Sequence, residues 1–362
     1  MKKRIAILQP EVPHYRKEFF QYITEQCEIT DIYVYNSFEK TKSQGFNIET
    51  NNLKHIPNIN IKNAILLYNP WELLSKKYDI IVLMLHFCHI TTWLLLLTKK
   101  LHKKKIILWG QGISVKRYLA EEKRPDWRLK WQIELADGVW LYNEPQYQQW
   151  HSLFTQKPMT ALNNTLSGTD IIIQRDVISD KENLRKKYNF KQPVILIFCA
   201  RFESNYRRTD LLIKTIEKLD TNRFGFIIIG AGKYKPQFSK YSNVYDFGAV
   251  YDRTLKDELF STADIYFQPG WVGLSIVEAM AYAKPIFTFK RSKDTFQCVE
   301  YCYIEHKKNG LIFENLNECI ETINALTIDK IKEMGTNARI LVKEKLTPKK
   351  MATNAYTIIK SL

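Results

Sequence analysis

The sequence predicts an α/β protein made of two successive parallel-sheet units, and three observations carry that expectation. Short, strongly apolar runs recur along the chain with helix-length segments between them, as parallel strands buried on both faces require. The pattern stops at Lys191-Gln192-Pro193 and then restarts. At 362 residues, 45% hydrophobic and 25% charged, the chain is long enough and apolar enough for two cores, and its composition excludes disorder, collagen and coiled coil.

In order, the first half reads as a strand at IAIL (5–8), a helix around FFQYI (19–23), strands at ITDIYVY (29–35) and DIIVLML (79–85), a helix reaching Leu101, a strand at KIILWG (105–110), a helix over 127–135 and a strand at GVWLY (138–142). The stretch 80–98, IIVLMLHFCHITTWLLLLT, approaches the roughly 20 residues of a membrane span, but His86, His89, Thr91 and Thr92 interrupt it. It is expected to split into a strand (80–85), a polar turn (86–89) and a helix (92–101). After residue 191 come VILIFCA (194–200), a helix over 209–219, FGFIIIG (224–230), a strand near 243–247, then IYFQ, PIFTF and GLIF. The seam lies between 164 and 192, which sets domains at 1–175 and 176–345; residues 346–362 form an amphipathic helix that crosses back to the first half.

Lys and Arg total 54 against 38 Asp and Glu, a net charge of +16 with a pI near 9.3, which calls for a polyanionic or anionic-surface partner. Six cysteines form no CxxC pair and have no histidine at zinc spacing, the pattern of reduced thiols in a cytosolic chain. His86 and His89 stand three apart with no carboxylate beside them and are not expected to hold a metal. The N-terminus offers only Ile5 to Leu8 before Pro10, too short for a secretory signal.

Three segments carry candidate chemistry. In PGWVGLSIVEAMAYAKPIFTF (269–289) a strand runs into a Pro-Gly turn and a helix begins near Leu274 or Ser275. Free amides and the positive helix end would face a diphosphate there, with Gly273 allowing close backbone approach and Glu278 placed to accept two ribose hydroxyls. The same residues also read as a plain capping box, Ser275-x-x-Glu278, that satisfies only the helix's own donors. In CARFESNYRRTDLL, Arg201 emerges from a buried strand and Arg207 and Arg208 follow; they suit phosphate at the strand ends or, alternatively, are solvated charges at a helix start. IIIGAGKYK (227–235) holds a lone GxG without a third glycine, so it reads as a strand-to-helix turn and not as a nicotinamide site.

These residues resemble the nucleotide-sugar domain of the group 1 glycosyltransferases, a retaining family with two Rossmann-like domains facing across a cleft, the GT-B fold. ARFESNYRRTDLLI is similar to the family's GRL-x-x-x-K-x-x-D-x-L, FGAVYDRTLKDELFSTADIYFQPG to its G-x-V, helix and AD-x-x-x-x-P-S, and KNGLIF to its TGLLF, over about 194–345. In the first half, VPHYRKEFF, ILWGQGI, DGVWLYNE and NNTL resemble one bacterial branch of the family. The resemblance implies that Arg201 and Arg207 hold the diphosphate, that Gly273, Leu274 and Ser275 offer amides to it, that Val250 borders the base, and that Glu278 is the second glutamate of the E-x7-E pair. The first glutamate falls at position 270, which is Gly270, so the usual contacts to the donor sugar are missing. The branch's WGHG carries Gln111 in place of its histidine, which removes an acid or base from that position.

On the same resemblance the first half binds the acceptor, through His14, Tyr15 and Arg16 after the first strand and the turn containing Gln111. His14 is either a proton shuttle or a polar lining residue. Basic residues interleaved with Trp127 and Trp131, and the run from Lys99 to Lys105, suit an anionic bilayer surface or are a solvated face. The expectation is a hexosyltransferase-like enzyme, without metal or other cofactor, moving a sugar from a nucleotide diphosphate to a saccharide acceptor on a polyprenyl carrier. It would act in O-antigen, capsule or related polysaccharide assembly, in the bacterial cytoplasm at the inner face of the membrane and without a nucleic-acid partner. A basic nucleic-acid-binding protein and a non-catalytic relative are the competing classes.

Overall fold

The computed structural model describes residues 2–37, 53–61, 65–174 and 181–362. The chain divides into two compact units, Met1–Gly168 with Leu346–Leu362 and Thr169–Lys345. The boundary drawn from the sequence, between 175 and 176, lies outside the described residues. The helix Thr169–Gln174, expected in the first unit, belongs to the second, where Arg339 Nη2 donates to the Ile173 carbonyl at 2.6 Å.

In the first unit, β1 (Arg4–Gln9), β2 (Ile29–Val34), β3 (Leu53–His55), β6 (Ile80–Met84), β7 (Lys105–Gly110), β8 (Gly138–Leu141) and β9 (Met159–Ala161) form one sheet, ordered β3-β2-β1-β6-β7-β8-β9, with every pair parallel. A separate antiparallel hairpin, β4 (Asn58–Ile61) and β5 (Ile65–Tyr68), precedes β6. Alternate strand residues fill opposite faces, because strand side chains point alternately up and down. Ile5, Ile7, Val82, Ile107 and Trp109 pack with Phe19, Phe20 and Ile23 of the helix Lys17–Gln26 and with the helix Pro348–Ser361. Ala6, Leu8, Ile81, Leu83 and Leu108 pack with the helices Ile90–Leu97 and Trp127–Leu135 on the other face.

The apolar stretch at 80–98 does split into a strand and a helix, and no helix among the described residues is long and apolar enough to cross a membrane. None of the six cysteines, all among the described residues, forms a disulfide.

The second unit contains β10 (Val194–Cys199), β11 (Phe224–Ile229), β12 (Val244–Asp246), β13 (Ile265–Phe267), β14 (Ile286–Phe289) and β15 (Gly310–Phe313), all parallel, ordered β12-β11-β10-β13-β14-β15. This is the doubly wound nucleotide-binding order, and it reverses between β10 and β13. The GAG turn after β11 is not a strand-to-helix turn, since no helix follows before Arg253. Gly230 and Gly232 both have positive φ, and a β-carbon on either would strike Ala200 or Phe202 backbone, so the turn lies against the end of β10.

Candidate active site

Ligands of open α/β sheets bind beyond the strand carboxyl ends where the strand order reverses. In the second unit that point is flanked by Cys199 at the end of β10 and by the turn that follows β13. Gln268, fully buried, shapes this turn: its Nε2 donates to the carbonyls of Gly270 (3.2 Å) and Trp271 (2.7 Å), and its Oε1 lies 2.7 Å from the Tyr266 hydroxyl. Gln297, equally buried, accepts from the Val272 amide at 2.8 Å and donates to the Phe289 carbonyl at 2.7 Å. Two neutral amides thereby satisfy several of the polar groups of a buried turn.

Arg207, in the short 3-10 turn Asn205–Arg207, donates from Nη1 to the Trp271 carbonyl at 2.7 Å and so bridges the two flanking loops. Burial, with repulsion from Arg201, lowers its pKa from the ordinary arginine value, which marks a cation drawn out of water beside a second one. Arg201 is exposed just past β10. Arg208 plays a different part: it sits in the left-handed region and grips Asp210 with two bonds of 2.8 Å, fastening the start of the helix Thr209–Lys218. Of the three guanidiniums the sequence singled out, Arg201 and Arg207 lie past β10 close enough for their charges to repel, while Arg208 fastens the scaffold.

The helix Ser275–Ala281 begins at this turn, but not with a capping box. Leu274 is its N-cap residue, the Ser275 hydroxyl donates to Gln268 Oε1 at 3.3 Å, and the Glu278 carboxylate accepts from Lys256 Nζ at 2.6 Å. Lys256 lies on the helix Arg253–Thr262 that follows the loop containing Val250. Burial opposes its charge, Glu278 outweighs that effect, and its pKa ends raised. Burial also pushes the Cys199 thiol up to about 11, while the charges of Lys256, Glu278 and Arg207 all reach it. These groups therefore share one neighbourhood at the tip of β10.

Around Gly270 there is no room for a side chain: a β-carbon would stand 2.5 Å from the Tyr206 carbonyl oxygen. Trp271 takes a left-handed φ of 53° and stacks on Tyr206 with ring centroids 4.9 Å apart. A β-carbon added at Gly273 would meet only Cys298 Sγ, at an ordinary contact distance of 3.8 Å, so packing does not demand glycine there. Val250 is half-buried beyond β12. Lys256, Gln268 and Gln297 escaped the sequence reading; the one signal was a glutamine directly after the apolar IYF run.

In the first unit the strand order reverses between β1 and β6. His14 and Tyr15 lie in the 3-10 turn after β1, His14 exposed and Tyr15 half-buried, and Gln111 is half-buried just past β7. Arg16 does not join a binding surface. It is buried, its guanidinium bonds Asn164 and approaches Met351 Sδ at 3.2 Å, and the rings of Tyr15, Trp109 and Tyr142 surround it at 5.7, 5.5 and 5.7 Å. Its packing anchors the loop after β1 to the last helix.

Residues 193–329 match the family model described as glycosyl transferases group 1. No curated protein sequence matches the chain. Solved structures share the fold along its length. HepE of Anabaena in complex with UDP is 15% identical, with 99% of this chain and 100% of that one covered at a TM-score of 0.64. A glycosyltransferase from Rickettsia africae is 16% identical, with 99% and 98% covered at 0.67. The lipopolysaccharide outer core galactosyltransferase WaaB, in its apo form, is 14% identical, with 99% of both chains covered at 0.68. The chain has the GT-B fold of these proteins.

Proposed function

We propose that this protein is a glycosyltransferase that moves a sugar from a nucleotide diphosphate to a saccharide acceptor. The observation that carries the reading is the grouping of half-buried Arg207, Arg201 and the Lys256–Glu278 pair at the strand-order reversal of the second sheet. The match of residues 193–329 to the glycosyl transferase model covers the same segment.

In this reading Arg201, Arg207 and the amides of Gly273, Leu274 and Ser275 bind the diphosphate, and Glu278 accepts hydrogen bonds from the ribose, with Lys256 setting its orientation. Val250 borders the base. As the bond from the sugar's anomeric carbon to the diphosphate oxygen breaks, charge grows on the leaving group; preorganised cationic and amide donors stabilise that charge more than they stabilise the bound substrate. The acceptor hydroxyl oxygen attacks from the same face, its proton passes to the departing phosphate oxygen, and configuration is retained. No metal is needed for this, since two guanidiniums supply the positive charge. The first unit takes the acceptor beside His14, Tyr15 and Gln111, and a polyprenyl-linked saccharide at the inner face of a bacterial membrane fits the basic character of the chain, as in O-antigen or capsule assembly.

Calorimetry and thermal shift with UDP, GDP, ADP and CMP in the presence of EDTA test the reading. One nucleoside diphosphate is expected to bind and raise the melting temperature. Arg201→Ala and Glu278→Ala are each expected to weaken that binding 10-fold or more, the loss of about 1.4 kcal/mol of charged hydrogen bonding. Unchanged binding in both variants refutes the site, and silence with every nucleotide refutes the function.

A further inference from the structure

Two neighbouring helices of the first unit turn large apolar side chains to solvent. In the helix Ile90–Leu97 and the turn of helix Lys99–His102 after it, Thr91, Thr92, Leu95 and Leu96 face inward, while Leu94, Leu97 and Leu101 are 54, 65 and 81% exposed. Steps of three and four residues align those leucines in one stripe. In the helix Trp127–Leu135, Trp127 and Trp131 are 62 and 58% exposed, one turn apart, with rings edge to face at 5.7 Å. The helices lie side by side. Arg128 covers the Phe87 ring at 3.6 Å, Gln132 Nε2 donates to the His86 carbonyl at 3.2 Å, and Lys99 Nζ donates to the Leu135 carbonyl at 2.7 Å.

The charge around this face is one-sided. Residues 90–135 hold eleven Lys and Arg against four Asp and Glu. Lys100, Lys103, Lys123, Arg124 and Lys130 are exposed and form no ion pair among the described residues; the exposed carboxylates nearby are Glu122 and Glu134. Leucines and tryptophans on an exposed surface, rimmed by unpaired cations, match a bilayer interface, where indole rings lie at headgroup level and lysines extend toward lipid phosphates. A second copy of this chain fits poorly, because the same face would bring its own positive rim against the first.

We infer that this face docks on an anionic lipid bilayer, with Leu94, Leu97, Leu101, Trp127 and Trp131 entering the headgroup boundary. Docking here is separate from the nucleotide reading, since the face belongs to the first unit and its test uses no nucleotide.

The experiment is sedimentation of the full chain with vesicles of phosphatidylcholine containing about a third phosphatidylglycerol, alongside pure phosphatidylcholine, at low salt and at about 0.5 M salt. The wild type is expected to pellet with the anionic vesicles and to bind neutral vesicles, or anionic ones at high salt, at least 10-fold more weakly. Leu97→Asn with Leu101→Asn, and separately Trp127→Ala with Trp131→Ala, are expected to lose binding 10-fold or more with an unchanged melting temperature. A wild type that stays in the supernatant overturns the inference, as do variants that bind like wild type. Self-association of the wild type without lipid, abolished by the same substitutions, also overturns it and assigns the face to a second copy.

Discussion

At position 270 a β-carbon would meet backbone, the Tyr206 carbonyl oxygen, and backbone cannot swing aside as a flexible side chain does. The absence of a glutamate there is therefore built into the loop: Tyr206 occupies the space, and Trp271 stacks on it. Gly270→Glu, which would complete the E-x7-E spacing, is expected to destabilise the protein by about 2 kcal/mol or more, and Gly270→Ala to act in the same direction, in urea unfolding. His89 offers a test of a different kind. It is buried, stacked on His86 at 4.8 Å and edge-on to Tyr35, and burial, then the charge of His86, push its pKa down to about 3. The unfolded chain takes up a proton near pH 6.5 that the folded chain refuses, so stability falls as pH drops below about 6.5, toward about 3. His89→Phe is expected to remove about 1 kcal/mol of the stability difference between about pH 7.5 and about pH 5.5, read from urea midpoints at the two pH values.

Helix ends show where local chemistry decides an element. Asp126 caps the helix Trp127–Leu135 by accepting from the Arg128 amide at 2.9 Å, and the Arg128 side chain returns two bonds of 3.0 and 2.6 Å. The Arg128 bond holds the Asp126 carboxyl below the usual carboxylate range. A lowered folded pKa means stability that is present above the unfolded value near 3.9 and lost as pH falls through the folded one. Asp126→Ala is expected to cost about 1 to 2 kcal/mol near neutral pH, and less in acid, in thermal unfolding. The helix Ser275–Ala281 is the contrast. Its capping-box residues bond elsewhere, Ser275 to Gln268 and Glu278 to Lys256, because the turn ahead of them is held by buried glutamines rather than by the helix's own first residues.

At the scale of the whole molecule, the last helix completes the first unit's core rather than the second's. Met351, Ala352, Ala355, Ile358 and Ile359 are buried with Phe19, Phe20 and Trp140, and the Thr165 hydroxyl bonds the Leu346 carbonyl where the chain re-enters this unit. Removing residues 346–362 is expected to expose that face and to unfold the first unit. The second unit, whose core lies wholly within 169–345, is expected to keep its structure and its nucleotide binding; thermal unfolding followed with and without the nucleotide separates the two.

Much of this was legible in the chain itself. The apolar runs of β1, β2, β6 to β8, β10, β11 and β13 to β15 stand out because strands buried on both faces need uninterrupted apolar sequence. β3, β9 and the hairpin β4–β5 do not, being short or exposed at an edge and therefore under no such demand. Arg201 stands where the apolar run of β10 ends, and the last segment reads as an amphipathic helix, which the structure returns to the first unit. The partners of the charged residues are not legible in this way. Whether Glu278 caps its own helix or pairs with Lys256, twenty-two residues away, whether Arg16 faces solvent or three aromatic rings, and whether Gly270 is a lost carboxylate or a forced glycine depend on which distant segment the fold brings alongside. Local sequence determines backbone conformation and burial through neighbours a few residues away; close contacts at long separation are decided only when the sheets assemble.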